Sequence, residues 1–551
     1  MTQRYWFVVV LLRSGILGLV LFSLQGIAQE NVNSQRIALR LFRSLTGVPL
    51  MLDDPRLSQM ETHIRRGRYP EAARIATADP TFYQVTVRHL ATPLSNRDRS
   101  PYVDLNDFIA MVVGVTRDNI DARQLLVGNF TYHGADAVRT AWSESNNLHY
   151  EEIENGHLPL ATILQRVTPR GDRRPAPSGL LTSRAWAQAH LSAGTNRRAV
   201  ERSIDDFLCT PLTEWRESDL PDTYIRRDVD RRPGGSPQTF QAVCRRCHAG
   251  MDAFGGAFAR YDFTQGRLQF FEDSVAAKYN QNATNYPQGY ETVDDRWTTL
   301  PSTHQERLFG WRRPLEGRGL RQFGMLLGNS QRFKSCMTER VFREVCSREP
   351  TPAERTGVLA PVAQGFERER YRLRWLFEEV ATLPACLGQN DLDGTHLAIS
   401  HFRQVNETLA AITRVSPATP EISRQYREGI ARLPRNGRID EINQNSILAI
   451  TALSGFYCRS WVTAEAALVE TSRRGHAGVI FTANEITQPT VQNVIERYAR
   501  LFWQREVTND ERTILMDTFT RIRGVEPRPS LADSFFLLCS AVASSLDTYA
   551  R

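Results

Sequence analysis

Lysine is almost missing from this chain. Lys278 and Lys334 are the only two among 68 basic residues, so nearly every positive charge is carried by arginine. The arginines are dispersed and interleaved with 61 acidic residues rather than gathered in one stripe. A net charge of +7 is therefore spread over a mixed surface, which argues against a nucleic-acid partner, since that needs a concentrated basic face. A diffuse basic surface can still steer an acidic partner toward the molecule. Long apolar runs are missing too. Residues 16–24 (ILGLVLFSL) are too few for a comfortable membrane span, and Arg13 interrupts the longer reading from Trp6. No later stretch approaches the length of a spanning helix, so no integral span is expected once the first 28 residues are removed. G-x-S-x-G, P-loop and G-x-G-x-x-G patterns are also absent, which removes the hydrolase elbow, the phosphate cradle and the dinucleotide fold as readings.

The N-terminus has the layout of an export signal. Arg4 and Arg13 carry positive charge, the apolar run follows, and Gly26-Ile27-Ala28 offers a small-residue cleavage site before Gln29. The alternative is an uncleaved N-terminal anchor. Apolar and charged fractions of 41% and 23% are those of a globular chain, long enough for roughly two to four packed domains. Six of the eight cysteines are scattered singly: Cys209, Cys336, Cys346, Cys386, Cys458 and Cys539. An even number in an exported chain suggests up to three disulfides, with buried free thiols as the alternative. Spacing does not choose among their pairings, except that Cys458 and Cys539 stand alone in the last segment and are expected to pair.

The other two cysteines form Cys244-Arg245-Arg246-Cys247-His248. C-x-x-C-H is the attachment pattern of a c-type haem. Each thiol adds to one vinyl group, and the histidine that follows reaches the iron as proximal ligand. With 8 Cys and 11 His in 551 residues, chance seldom produces the pattern. The competing readings are a structural or redox C-x-x-C and half a zinc site, though a tetrahedral zinc needs a second ligand pair, and none is present. One covalent haem c on Cys244, Cys247 and His248 is therefore expected, and it agrees with export.

The rest of the chain reads as mostly helix. Asn33-Ser34 can cap a first helix whose Ile37, Leu39, Leu41, Phe42 and Leu45 make an apolar face, ended by Gly47 and Pro49. Helices are expected over 56–66 and 70–77, and another ends at Cys209. A Pro/Gly/Arg linker at 168–178 and the segment 388–394 (GQNDLDG) are the best boundaries. The expected division is a signal over 1–28, an N-terminal helical domain over 29–172, a haem-binding segment over 178–330, a closing helical segment over 331–388, and a C-terminal helical domain over 395–551. One internal repeat is visible. Residues 339–356 (ERVFREVCSREPTPAERT) align without gaps with 496–513 (ERYARLFWQREVTNDERT), and a fainter third copy starts at Leu41-Phe42-Arg43. Both clear copies carry T-x-x-E, at Thr351/Glu354 and Thr508/Glu511, the pattern of a capping box that starts a helix. The fold class expected is mainly α: a multi-domain helical scaffold with an embedded c-type haem segment and duplicated helical hairpins.

After the motif come Met251-Asp252-Ala253-Phe254-Gly255-Gly256-Ala257-Phe258-Ala259-Arg260-Tyr261-Asp262. In this run the chain resembles the planctomycete-type cytochrome c-like family, large exported bacterial proteins with one C-x-x-C-H. Met251, Asp252, Phe254, Gly255, Ala257, Tyr261 and Asp262 match its pattern in register. Upstream, Gly179-Leu180-Leu181-Thr182 and Gly194-Thr195-Asn196-Arg197-Arg198 are similar to its G-x-L-T and T-x-x-x-R elements. Downstream, Ser330, Phe333, Cys336, Phe342, Arg348 and Thr351 are similar to its C-terminal helical part. Ala253 stands where the family has proline and Ala259 where it has an acid, so any role of that acid is absent. The resemblance covers about residues 178–385; it implies haem and export, and implies no substrate.

Physically, Gly250, Gly255 and Gly256 would let backbone approach a porphyrin, and Phe254, Phe258 and Tyr261 would wall it from water. Arg245, Arg246 and Arg260 are candidate propionate partners, while Asp252 and Asp262 are expected to cap turns or bind arginine. The distal iron ligand is open. Met325 is the first candidate, Met337 and His304 are rivals, and a five-coordinate iron would permit small-ligand chemistry. His149 and His157 flank Glu151, Glu152 and Glu154 without metal spacing, and His396 and His401, five apart, share a helix face poorly. The expected function is single-electron transfer by an exported, periplasmic or surface mono-haem cytochrome with a redox partner. The alternatives are a haem-dependent periplasmic oxidoreductase, peroxidase-like or a dehydrogenase subunit, and a haem-containing surface binding module.

Overall fold

The computed structural model describes residues 33–549 apart from 101–102, 169–176, 301, 388–400, 434–438 and 440–442. The proposed export signal, most of the 168–178 linker, the 388–394 boundary and His396 lie outside the described residues. The class is mainly α, with 61% helix and 5% strand. Strands occur only as three two-stranded antiparallel ribbons among the described residues.

The first helix, α1, spans residues 33–46 and buries Ile37, Leu41, Phe42 and Leu45. It stops at Gly47, whose φ of 77° suits a residue without Cβ; a Cβ there would lie 2.4 Å from Val85 Cγ1. Helices α2 (Pro55–Arg65) and α3 (Tyr69–Thr77) follow, each with proline in its first turn. Helix α4 (Asp107–Arg117), capped by Asn106, is buried from Phe108 to Thr116 and forms the axis of the first core. Ribbon β1 (Thr131–Gly134) with β2 (Leu164–Val167) packs beside it. Then come α5 (Arg184–His190), α6 (Arg197–Leu208), α7 (Arg245–Ala253) and the ribbon β3 (Tyr261–Thr264) with β4 (Arg267–Phe270). Strand β5 (Arg296–Thr298) pairs with β6 (Glu316–Arg318) across α8 (Thr303–Phe309). Helices α9 (Gly319–Asn329), α10 (Gln331–Cys346) and α11 (Leu373–Ala381) complete this body. The last unit holds α12 (Phe402–Thr413), α13 (Pro420–Arg432), α14 (Gln444–Ala466), α15 (Gln488–Tyr498), α16 (Asn509–Arg523) and α17 (Leu531–Ala543).

Two large cores result. One runs from Ile37 to Leu387, and the other from Phe402 to Tyr549. The expected divisions at 172–178 and 330–331 therefore do not separate cores. Leu125 and Leu126 from one side of the first division pack in the same cluster as Leu180, Trp186 and Phe258 from the other. A polar Pro/Gly/Arg composition by itself does not require that the residues before and after it form separate cores.

Three disulfides link the six scattered cysteines: Cys209–Cys336, Cys346–Cys386 and the expected Cys458–Cys539. The first ties the end of α6 to α10, and the last ties α14 to α17 inside the C-terminal core. No helix among the described residues is long and apolar enough to cross a membrane.

The repeat is a repeat of structure. Thr351 and Thr508 each accept the N–H of the glutamate three residues on, at 3.2 and 3.3 Å, and that glutamate accepts the threonine N–H in return. Arg348 holds Glu354 with two bonds, at 2.8 and 2.5 Å, and Arg505 holds Glu511 with two, at 2.9 and 2.7 Å. Arg343 pairs with Glu349 as Arg500 pairs with Glu506.

Candidate functional site

The five-residue motif lies at the entry to α7. Ser236 caps a short turn at Pro237–Thr239, its Oγ accepting the Thr239 N–H at 3.4 Å. The chain continues helically, with one widened turn at Phe240–Cys244, into α7. Cys244 and Cys247 are thus about one turn apart on one helix, next to His248. All three are half-buried. The residues beside them, Gln241, Ala242, Val243 and Arg246, are exposed, with Val243 at 65%.

The other side of α7 is fully covered, and its residues explain why the helix sits there. Met251 and the following Phe254 enter the large core. Ala249 and Ala253 enter a small separate cluster with Leu220, Ile225, Val229, Phe240 and Leu300, against which Cys244 packs. Two thiols and one imidazole are therefore presented at an open face by a helix clamped from behind.

Asp252 lies one turn after His248 and is completely buried. His248 Nδ1 is 3.5 Å from Asp252 Oδ1. The same carboxylate accepts from Arg197 Nε at 2.7 Å, Arg197 Nη2 at 2.9 Å and the backbone N–H of Arg226 at 3.1 Å. Arg197 also donates twice to Asp228, at 2.9 and 2.7 Å. Arg226 lies 4.6 Å over the ring of Tyr279, whose hydroxyl donates to Gly255 O. Burial pushes the Asp252 carboxyl up, but the guanidiniums of Arg226 and Arg197 outweigh it and hold the group well below the usual carboxylate range. Asp252 is therefore an anion beside His248 Nδ1. That favours a proton on Nδ1 and leaves Nε2, which has no hydrogen-bond partner among the described residues, to act as a donor atom. Burial pushes the Cys247 thiol up, and the nearby Arg216 guanidinium opposes the push.

The residues after the motif are placed differently from expectation. Phe254 packs among Trp215, Trp297, Trp311 and Phe323, and Phe258 among Trp186 and Phe323, both with no exposed surface. Tyr261 is buried at the start of β3. They form the floor beneath α7, not an open wall. The glycines likewise serve protein packing. A Cβ on Gly256 would sit 1.7 Å from the Arg296 carbonyl oxygen, and one on Gly250 would crowd Gln305, Leu220 and Trp215. Arg245 grips the Ser218 and Leu220 carbonyls, and Arg260 pairs with Asp295 at 3.5 Å. Only Arg246 of the three candidate propionate partners is exposed. Asp252 and Asp262 do bind cations, the latter Lys278 at 2.6 Å.

Met325 is 49% exposed on α9, on the side away from Leu320, Phe323, Gly324 and Leu327. Helix α9 packs chiefly on the helical turn Gln124–Val127 and the turn Gly255–Phe258. Met337 is buried in α10. His304 is tied through Nε2 to the Glu214 carbonyl at 2.9 Å on α8, the helix whose Gln305 abuts Gly250. His149 is engaged by Gly134 N–H at 2.7 Å and lies 2.6 Å from the Thr140 oxygen, and His157 pairs with Glu407.

The sequence reading passed over the support for His248 from the upstream arginines and Asp228. The readable signal was Asp252 itself, four residues past His248 and so on the same helical face. No family model, curated protein or solved structure matches this chain.

Proposed function

We propose that this protein is an exported mono-haem c-type cytochrome that passes single electrons. Cys244 and Cys247 would bind one haem through thioether links, and His248 Nε2 would be its proximal iron ligand. The observation that carries the reading is the sorting of the cysteines. Six are joined in disulfides, while the remaining two are free, half-exposed and one turn apart beside a histidine anchored through its other nitrogen. This donor set fits covalent attachment from the solvent side, because Gln241, Ala242, Val243 and Arg246 beside it are exposed.

When bound, haem supplies a ferric–ferrous couple. The chain's own residues hold and bias it. Asp252 orients His248 and increases its basicity, and Arg197 and Arg226 temper that by sharing the carboxylate's charge. Met325, exposed on α9, would remain a candidate for the distal side. The three disulfides support an oxidising compartment, and the dispersed arginine surface would steer an acidic redox partner, less so at high salt.

A second reading, a haem-dependent oxidoreductase acting on a small ligand such as peroxide, is favoured by the buried carboxylate at His248, since a more basic proximal ligand pushes electron density toward the iron. The test is to mature the chain in a host with haem-attachment machinery. A haem stain on a denaturing gel and a pyridine haemochrome spectrum should show one covalent c-type haem, lost in Cys244→Ser with Cys247→Ser. Absence of covalent haem in the parent would sink both readings. Peroxide turnover would choose the second.

A further inference from the structure

Three side chains from distant parts of the chain meet where the two large cores adjoin. His89 comes from the helical turn Arg88–Ala91, Glu344 from the last turn of α10, and His401 from the N-cap of α12. We infer that they hold a divalent transition-metal ion of the zinc class, which joins the C-terminal unit to the rest of the protein. The inference does not rest on the haem reading.

The geometry is that of a donor set drawn together. One ligand atom from each residue lies within 4.8 Å of the other two. His89 Nδ1 is 2.9 and 2.8 Å from the two carboxylate oxygens of Glu344. The His89 and His401 rings are face to face, with centroids 3.8 Å apart and planes 5° from parallel. Both histidines are buried, and Glu344 is half-buried. His89 Nε2 is buried and has no hydrogen-bond partner among the described residues. A lone hydrogen bond from imidazole to carboxylate would need one histidine, and this site has two.

The chemistry favours a cation over a second proton. Protonating both rings would set two positive charges face to face beside a single carboxylate. A dication bound by Glu344 takes both rings in their neutral form. Two imidazoles and one carboxylate make a zinc donor set, with the fourth position left for water. Bonds of roughly 2.0–2.2 Å in a tetrahedron hold donors about 3.4 Å apart, so seating the ion between His89 Nδ1 and Glu344 opens that pair by about 0.5 Å and splays the ring stack. It also costs His401 its capping bond from the Gln404 N–H, whichever nitrogen ligates; at 3.3 Å that bond is long.

The place gives the ion a role. The turn Arg88–Ala91 and α10 belong to the first body, and α12 opens the C-terminal unit. An ion on all three would fasten the units beside the Arg88–Glu154–Arg403 ion pairs.

The test uses untagged full-length protein, matured with its haem where that is attached, and equilibrated with chelator-buffered zinc. After gel filtration, zinc and iron are measured separately by mass spectrometry. One zinc per chain is expected in the parent and none in His89→Gln or His401→Asn. Asparagine is itself a good N-cap, so His401→Asn removes the imidazole while keeping α12 capped, and unchanged circular dichroism verifies the fold. Zinc should also raise the thermal midpoint of the parent and not that of His401→Asn. Zinc retention equal in the parent and in the double variant would overturn the inference. The haem stain plays no part in this readout, so either proposal can fail alone.

Discussion

Asp252 is a fully buried carboxylate with two arginines on it and a histidine at its edge. Its removal should act on both stability and electronics. Asp252→Ala leaves the Arg197 and Arg226 charges without their shared partner, and breaking a buried pair in this way costs about 3–5 kcal/mol. The loss would appear as a lower midpoint in urea unfolding. Asp252→Asn keeps the shape but removes the charge beside His248 Nδ1. If haem is bound as proposed, the reduction potential should rise by about 60 mV for each tenfold loss of preference for the ferric state. A potentiometric titration with an unshifted midpoint would show that the carboxylate only braces the helix.

Much of this residue-scale chemistry was legible. The spacing put Cys244, Cys247 and His248 on one helical stretch, and Asp252 was expected to bind arginine, as it does. His89, Glu344 and His401 were not legible as a group. They are separated by 255 and 57 positions, and no local spacing encodes a meeting made by packing two bodies together. Met325 stands on the outer side of α9, 49% exposed. Its distance along the chain suited a returning ligand, but Phe323, Gly324 and Leu327 claim the inward face of α9.

Helical starts and exits are where the elements are most plainly written. Thr351 and Thr508 head matching capping boxes, and Ser347 and Gln504 leave the preceding helix with φ of 58° and 54°. Gly47, four residues after Arg43, makes the same left-handed exit, so the faint third copy shares this turn. Thr351→Ala and Thr508→Ala should each lower stability by about 1 kcal/mol, the usual worth of an N-cap oxygen. Chemical denaturation of the two single variants should give similar losses. A loss in only one would mean that the copies are alike in outline but not in energetics. Aromatic and glycine positions after the motif were read correctly as packing positions but with the wrong partner. Sequence shows that a face is apolar and that backbone passes closely; it does not show that tryptophans from four other segments already fill the space.

Two cores joined by ion pairs make the whole molecule sensitive to acid. Burial pushes the Glu154 carboxyl up, yet Arg88 and Arg403 outweigh it and hold the group at about 2, against an ordinary value of 4.5. A depressed carboxylate stabilises the fold fully above its unfolded value and loses that contribution as pH falls from about 4.5 to about 2. The contribution at neutral pH is about 3 kcal/mol. Limited proteolysis and urea midpoints at pH 3 and pH 6 should therefore differ in the parent and differ less in Glu154→Gln. In the C-terminal unit, replacing both Cys458 and Cys539 by alanine opens a loop of 81 residues. The expected cost is about 4 kcal/mol, confined to that unit and checked by calorimetry. In sequence, the segment near 390 falls between the residues of the two cores, whereas residues on both sides of 175 belong to one core.

One consequence follows from where the cysteines sit. The chain emerges with eight thiols, and the fold brings six of them into three lasting links, in pairs drawn from far along the sequence. The two on the open helix are neighbours that an oxidant would close on each other, blocking both. If these two are to take haem as proposed, the order of events during maturation is constrained: oxidation must finish elsewhere while they stay reduced. The compartment would then also need a reductant reaching one exposed helical turn, and the rate of that local reduction would set the yield of finished molecules.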